Sequence, residues 1–171
     1  MSDRGSSVIV DLERTIAELA PRVLRYANAR LGDPALAEDV AQESLAALVR
    51  AWRNGGVPDS AEAFVFAIAR RRAGRAAWRR KLAAPLELAF GARAETPSPE
   101  ARAIAQDELV RVRSALARLS ARDREAMLLV AVGGLSMAEA AEALGLSMSA
   151  VKMRVSRART RLAAELEARH G

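Results

Sequence analysis

The strongest constraint on how this chain folds lies in its last third, in the stretch "GLSMAEAAEALGLSMSAVKMRVSRARTRL", Gly134 to Leu162. Ser136 is followed three residues later by Glu139. At that spacing a serine hydroxyl and a glutamate carboxylate each accept a hydrogen bond from the other's backbone amide and start a helix. The helix that follows is short and ends near Leu144. Gly145 can then take a positive φ without a Cβ penalty, and Ser147 or Ser149 caps a second, longer helix. Two helices joined by a three- to four-residue turn containing glycine form a helix-turn-helix.

On a helical wheel of about 100° per residue, Val151, Val155, Ala158 and Leu162 share one face of the second helix. They are expected to pack on Ala140, Ala141, Leu144 and Leu146. The opposite face collects Ser149, Lys152, Met153, Ser156, Arg157 and Thr160, with Arg154, Arg159 and Arg161 on the flanks. A helix of this width fits the major groove with its first turns on the base edges. Lysine and arginine donate to guanine, serine serves several bases, methionine packs on a thymine methyl, and flanking arginines grip phosphates. A solvated face on an arginine-rich helix would hold some of the same residues. The agreement of cap, turn glycine, apolar register and cationic outer face favours DNA. The motif by itself does not separate a repressor from an activator or a polymerase subunit.

Composition fits this reading. Aromatics make up 4% of the 171 residues and strand formers are scarce, so an all-α chain is expected. The formal net charge of +6 favours a polyanionic partner. There is no cysteine, and the one histidine is His170 beside the C-terminus. Thiolate chemistry, disulfides, histidine bases and nearly all histidine metal sites are thereby excluded. No catalytic constellation, metal site or cofactor is expected. The N-terminal "MSDRGSSVIVDLERT" does not read as a signal peptide. No apolar run approaches the ~18 residues of a membrane span. A cytoplasmic protein without membrane insertion is expected.

Upstream, a first helical stretch runs from about Val8 to Leu31, with Pro21 predicting a kink or two abutting helices. Asp33 and Pro34 open a second helix to about Arg53, where "NGG" stops it. Its apolar side holds Val40, Ala41, Leu45, Leu48 and Trp52; its outer side holds Asp39, Gln42, Glu43, Arg50 and Arg53. The acidic end of that outer side suits a basic partner, although acids near a helix N-terminus also have a local explanation. Asp59 with Glu62 resembles a capping box for a third helix to about Lys81, with Gly74 marking a bend. That helix ends in Arg70, Arg71, Arg72, Arg75, Arg79, Arg80 and Lys81 with Trp78 among them. Such a run of like charges calls for a polyanion, and the aromatic suits an unstacked base. Residues 85–103, rich in proline, read as a flexible linker, and helices resume near Ile104. Ser120 is expected to cap "ARDREAMLLVAV", with Asp123 in the capping-box position. The organisation is therefore two small helical domains, 8–84 and 104–168, joined by the linker 85–103.

These motifs, in this order, resemble a family. "LGDPALAEDVAQESLAALVRAWR" is similar to region 2 of bacterial RNA polymerase sigma factors of the sigma-70 family, extracytoplasmic-function (ECF) type. "LSARDREAMLLVAVGGLSMAEAAEALGLSMSAVKMRVSRARTRL" is similar to region 4 of the same family. With the arginine-rich helix, the resemblance covers most of residues 10–165. It implies a protein that gives RNA polymerase core its promoter choice. Asp39, Gln42 and Glu43 would dock on the β′ clamp helices. Arg71, Arg72, Arg75, Trp78, Arg79 and Arg80 would engage and help to open the −10 element. Ser149, Lys152, Met153, Ser156 and Arg157 would read the −35 element, with Arg154 on the backbone. An anti-sigma factor is a further implied partner. Arg71 and Arg75 depart from the family pattern, which often has Asn and Asp there, and Phe64, Phe66 and Trp78 are the main aromatics left in the melting helix. Two other functions fit parts of the sequence. An autonomous helix-turn-helix regulator would act as a dimer, and a helical adaptor would bind only protein.

Overall fold

The computed structural model describes residues 3–56, 58–83 and 111–167, and the side chains of residues 11–56, 58–80 and 111–167. The described residues are helical and contain no strand, as expected of an all-α chain. The linker 85–103, the helix restart at Ile104 and His170 lie outside the described residues.

Helix α1 spans Asp3–Leu31 and continues through Pro21 without a break. Proline removes one backbone donor and crowds the preceding turn. Pro21 and Ala17, whose carbonyl loses that donor, are both exposed, so water can satisfy the carbonyl. The sequence expectation of two abutting helices is corrected on this point. Helix α2 spans Pro34–Arg53, with Asp33 accepting from the Leu36 amide at 3.1 Å and Pro34 opening the helix, as expected. Helix α3 spans Ala61–Ala83. Its cap is Ser60, whose Oγ accepts from the Ala63 amide at 3.0 Å; Asp59 lies one residue too early. Gly74 does not interrupt α3. A Cβ added there would meet nothing within 4 Å, so no close approach requires that glycine.

Alanines let these three helices pack closely. Leu19, Val23, Tyr26, Ala27 and Leu31 of α1 meet Ala37, Val40, Ala41 and Leu48 of α2 and Val65, Phe66, Ala69 and Ala73 of α3 in one buried cluster. Tyr26 and Phe66 lie edge to face, their ring centroids 5.5 Å apart and their planes at 72°, the arrangement that aromatic quadrupoles prefer.

Residues 111–118 form α4; α5 spans Ala121–Ala131, α6 Met137–Leu144 and α7 Met148–Glu167. Ser120 Oγ accepts from the Asp123 amide at 3.1 Å and starts α5. The same buried cluster runs on into Ala126, Leu128, Leu129, Leu135, Ala140, Val151 and Val155. α3 packs on α6 and α1 on α5. Gly133 sits at this junction. A Cβ there would fall 2.8 Å from Phe66 Cε1 and 2.6 Å from the Leu129 carbonyl oxygen, so only glycine fits.

Candidate nucleic-acid interface

The helix-turn-helix forms as its sequence dictates. Ser136 Oγ accepts from the Glu139 amide at 3.2 Å, and the Glu139 carboxylate accepts from the Ser136 amide at 2.7 Å. Gly145 adopts φ 65° and ψ 42°, the left-handed conformation that closes α6. Ser147, not Ser149, caps α7, accepting from the Ala150 amide at 3.2 Å. Val151, Val155 and Ala158 are fully buried, while Leu162 is half-buried at the open end of the pair. They pack against Ala140 and Ala141, with Leu144 and Leu146 partly covered.

Ser149, Lys152, Met153, Ser156 and Arg157 line the exposed side of α7, and Arg154 is half-buried at its margin. Met153 is 60% exposed on this side. Arg157 is not a free cation: its Nη2 donates to the Asp123 carboxylate at 3.0 Å. Asp123 is buried on α5. The Arg157 guanidinium beside it, with help from Ser120, holds its carboxyl below the usual carboxylate range against the opposing effect of burial. A lowered carboxylate pKa adds stability that is complete above the unfolded value of about 3.9 and is lost as pH falls through the folded value. Below pH ~4 the melting temperature of the wild type should therefore drop with pH more steeply than that of Asp123→Asn. Thermal melts from pH 6 to 2 check this; parallel profiles would contradict it.

The structure brings together two groups of residues that the sequence places on separate helices. Asp39 and Glu43 of α2 and Arg72, Arg75, Trp78 and Arg79 of α3 line one open cleft of about 570 Å³, floored by Leu36, Val40 and Ala76. Arg72 pairs with Glu43 across it. Trp78 is 64% exposed, and Arg71, Arg75, Arg79 and Arg80 are exposed beside it. Gln42 is exposed on α2 as well. Phe66 is fully buried and Phe64 half-buried, so of the three aromatics only Trp78 is presented to a partner.

Sequence reasoning did not single out Glu125. It is buried on α5, where its carboxylate accepts from the Tyr26 hydroxyl and, at 2.9 Å, from Arg30 Nε. Burial, and then the neighbouring Glu125 charge, push the Tyr26 phenol well above its ordinary range. A glutamate on the face of α5 that also carries Leu128 and Leu129 was the available signal, because a charge on a buried stripe needs a partner.

A helix-turn-helix over a buried apolar seam, with a cation-bearing outer face and a second helical unit alongside, defines a two-part DNA-binding protein. Comparison with known proteins narrows this class. Residues 15–82 match the family model "Sigma-70 region 2" and residues 109–162 match "Sigma-70, region 4". The chain is 35% identical over 167 residues to the ECF RNA polymerase sigma factor SigD of Mycobacterium tuberculosis, covering 92% of this chain and 77% of SigD. It is 34% identical over 165 residues to the ECF RNA polymerase sigma factor ShbA of Streptomyces griseus, covering 89% of this chain and 85% of ShbA. A shorter match to the RNA polymerase sigma factor CnrH of Cupriavidus metallidurans is 47% identical over 83 residues, 48% of this chain and less than half (44%) of CnrH. The solved structure of CnrH in complex with the cytosolic domain of CnrY aligns with TM-score 0.68 and 28% identity over 92% of this chain and 88% of that one.

The chain belongs to the ECF group of sigma-70 family RNA polymerase sigma factors. Sigma factors recognise promoters and initiate transcription with RNA polymerase, and they are not enzymes. Among the described residues no helix is long and apolar enough to cross a membrane.

Proposed function

We propose that the two units grip the two promoter elements while α2 docks on polymerase. In this reading, units 8–84 and 104–168 are joined by the linker 85–103. Asp39, Gln42 and Glu43 face the β′ clamp helices. Arg71, Arg72, Arg75, Trp78, Arg79 and Arg80 engage the −10 element and help to open it. Ser149, Lys152, Met153, Ser156 and Arg157 read the −35 element, and Arg154 steadies the backbone contact. The observation that carries this is the two-sided character of α7: Val151, Val155 and Ala158 are sealed in the core while Lys152, Met153 and Ser156 are exposed.

Arg157 enters this reading already oriented by Asp123, which spares some of the entropy of ordering a long side chain. The chain acts in the cytoplasm, where polymerase and promoter are. An anti-sigma factor that withholds it from polymerase is part of the same proposal; the solved complex of CnrH with the cytosolic domain of CnrY lends it support.

In vitro transcription with core polymerase tests the whole reading, which fails if the pure chain neither binds core nor supports initiation on any promoter. Within it, Lys152→Ala should weaken binding to the cognate −35 element by about 1–3 kcal/mol and relax sequence preference. Arg154→Ala should weaken cognate and scrambled duplexes alike and flatten the salt dependence by about one phosphate contact. Anisotropy titrations over a range of salt separate the two roles, and identical behaviour of the variants on both duplexes would contradict the assignments.

A further inference from the structure

Arg157 differs from the other cations of α7. Among the described residues Lys152, Arg154, Arg159 and Arg161 make no ion pair, whereas Arg157 Nη2 donates to the Asp123 carboxylate at 3.0 Å. The acid is held more firmly than the arginine. Asp123 is 4% exposed and lies in the first turn of α5, where Ser120 Oγ accepts from its backbone amide. The positive end of a helix favours a carboxylate in that place. The Arg157 side chain is 51% exposed, so the pair leaves about half of it open to a ligand. On a wheel of about 100° per residue, Arg157 stands between the exposed centre of α7, at Met153 and Thr160, and the flank that carries Arg154 and Arg161. It is therefore within reach of both base edges and phosphates, and its partner decides between them.

A buried carboxylate beneath a DNA-facing helix has two effects. Its charge repels phosphates and cancels much of the Arg157 charge at a distance, so the pair adds little to attraction that is blind to sequence. It also restrains the guanidinium plane, and guanine recognition needs that plane edge-on to O6 and N7. An unpaired arginine at the same place would turn to the nearest phosphate and raise affinity for every sequence alike. The paired arginine contributes chiefly where a base edge meets it in the right geometry. General affinity falls and discrimination sharpens.

We infer that Asp123 sets the base preference at the promoter position faced by Arg157, by holding the guanidinium ready for a guanine edge and withdrawing its charge from general phosphate attraction. The inference rests on the reading of the −35 element by α7 proposed above. Asp123 is a positioning residue: it lies on α5 and acts on DNA only through Arg157.

The test uses the full chain assembled with core polymerase and a library of duplexes randomised across the upstream element. Sequencing the bound fraction gives a base preference at each position. Wild type should favour guanine, on one strand or the other, at a position where Arg157→Ala flattens the profile. Asp123→Ala should flatten that same position, its enrichment falling about tenfold, within the worth of one bidentate base contact. The other positions should not change, and Asp123→Ala should add nothing in the Arg157→Ala background. Asp123→Asn keeps the volume and an acceptor oxygen but discards the charge, and it is the second variant should Asp123→Ala lose helicity by circular dichroism. Its neutral oxygen holds a guanidinium less firmly, so the same position should flatten to a smaller degree. With the free chain and a scrambled duplex, either substitution should raise affinity and steepen the log–log dependence on salt by about one unit, as one more cation reaches a phosphate. Folded variants with an unchanged preference, a flattening spread evenly over all positions, or a salt dependence equal to that of the wild type would each overturn the role of Asp123. The even flattening is what a plain structural tie between α5 and α7 would give. If Arg157→Ala leaves the wild-type profile intact, the base-reading role of Arg157 fails and takes this inference with it, an outcome told apart from the others by that variant alone.

Discussion

Asp39→Arg is expected to weaken binding to core polymerase by roughly a hundredfold and to abolish initiation at limiting core. Asp39 is exposed on α2 at the acidic end of a strongly basic molecule. If that face meets a basic surface, reversing its sign sets like charges opposite one another and costs several kcal/mol, and ~2.8 kcal/mol is a hundredfold in affinity. Substitution at an exposed site should leave the fold within about 0.5 kcal/mol, so the loss will not be confused with unfolding. Glu43→Gln is a softer probe of the same face. It removes a docking charge and also frees Arg72, with which Glu43 pairs across the cleft. Binding to core should fall, while affinity of the free chain for single-stranded −10 DNA should rise. Titration of labelled core, and separately of a single-stranded oligonucleotide, measures the two effects. Wild-type affinity of Asp39→Arg for core would remove α2 from the docking surface.

Phe66→Ala is expected to be the most damaging single truncation to the fold, costing about 3–5 kcal/mol. Phe66 is among the largest fully buried side chains described. It stacks edge-on with Tyr26 on one side and reaches the glycine-only space at Gly133 on the other. Truncation removes apolar burial, leaves a cavity where two units meet and loosens the ring beside the Glu125 cluster. Against a total stability of about 5–15 kcal/mol for a domain, the midpoint of urea unfolding should fall sharply, and Phe66→Leu should lose much less. A Phe66→Ala chain that keeps wild-type stability but fails only in promoter opening would restore Phe66 to the DNA-contacting aromatics and contradict its place in the core.

Much of the local structure was legible because its determinants are close in sequence. The Ser136–Glu139 box, the left-handed Gly145, the Asp33–Pro34 start of α2 and the buried row Val151, Val155 and Ala158 all depend on contacts within one or two turns. Two local expectations missed by small margins. The cap of α3 fell to Ser60 rather than Asp59, because a cap must immediately precede the first helical residue. Pro21 did not break α1; Pro21 and Ala17, whose carbonyl loses its donor, are both exposed, where water can satisfy that carbonyl.

The sequence by itself determined the helices, their caps, the helix-turn-helix and which face of α7 is free, since spacing of three and four residues specifies those faces. Tertiary structure decided what the faces meet. It buried Phe66, tied Arg157 to Asp123, gathered Asp39, Glu43, Arg72 and Trp78 into one cleft, and closed Tyr26 and Arg30 on Glu125. The Glu125 contacts join residues 95 and 99 positions apart. Helical periodicity reports that a face is apolar or charged but carries no information on which distant face will cover it, and that choice is made by packing and charge pairing across the whole fold.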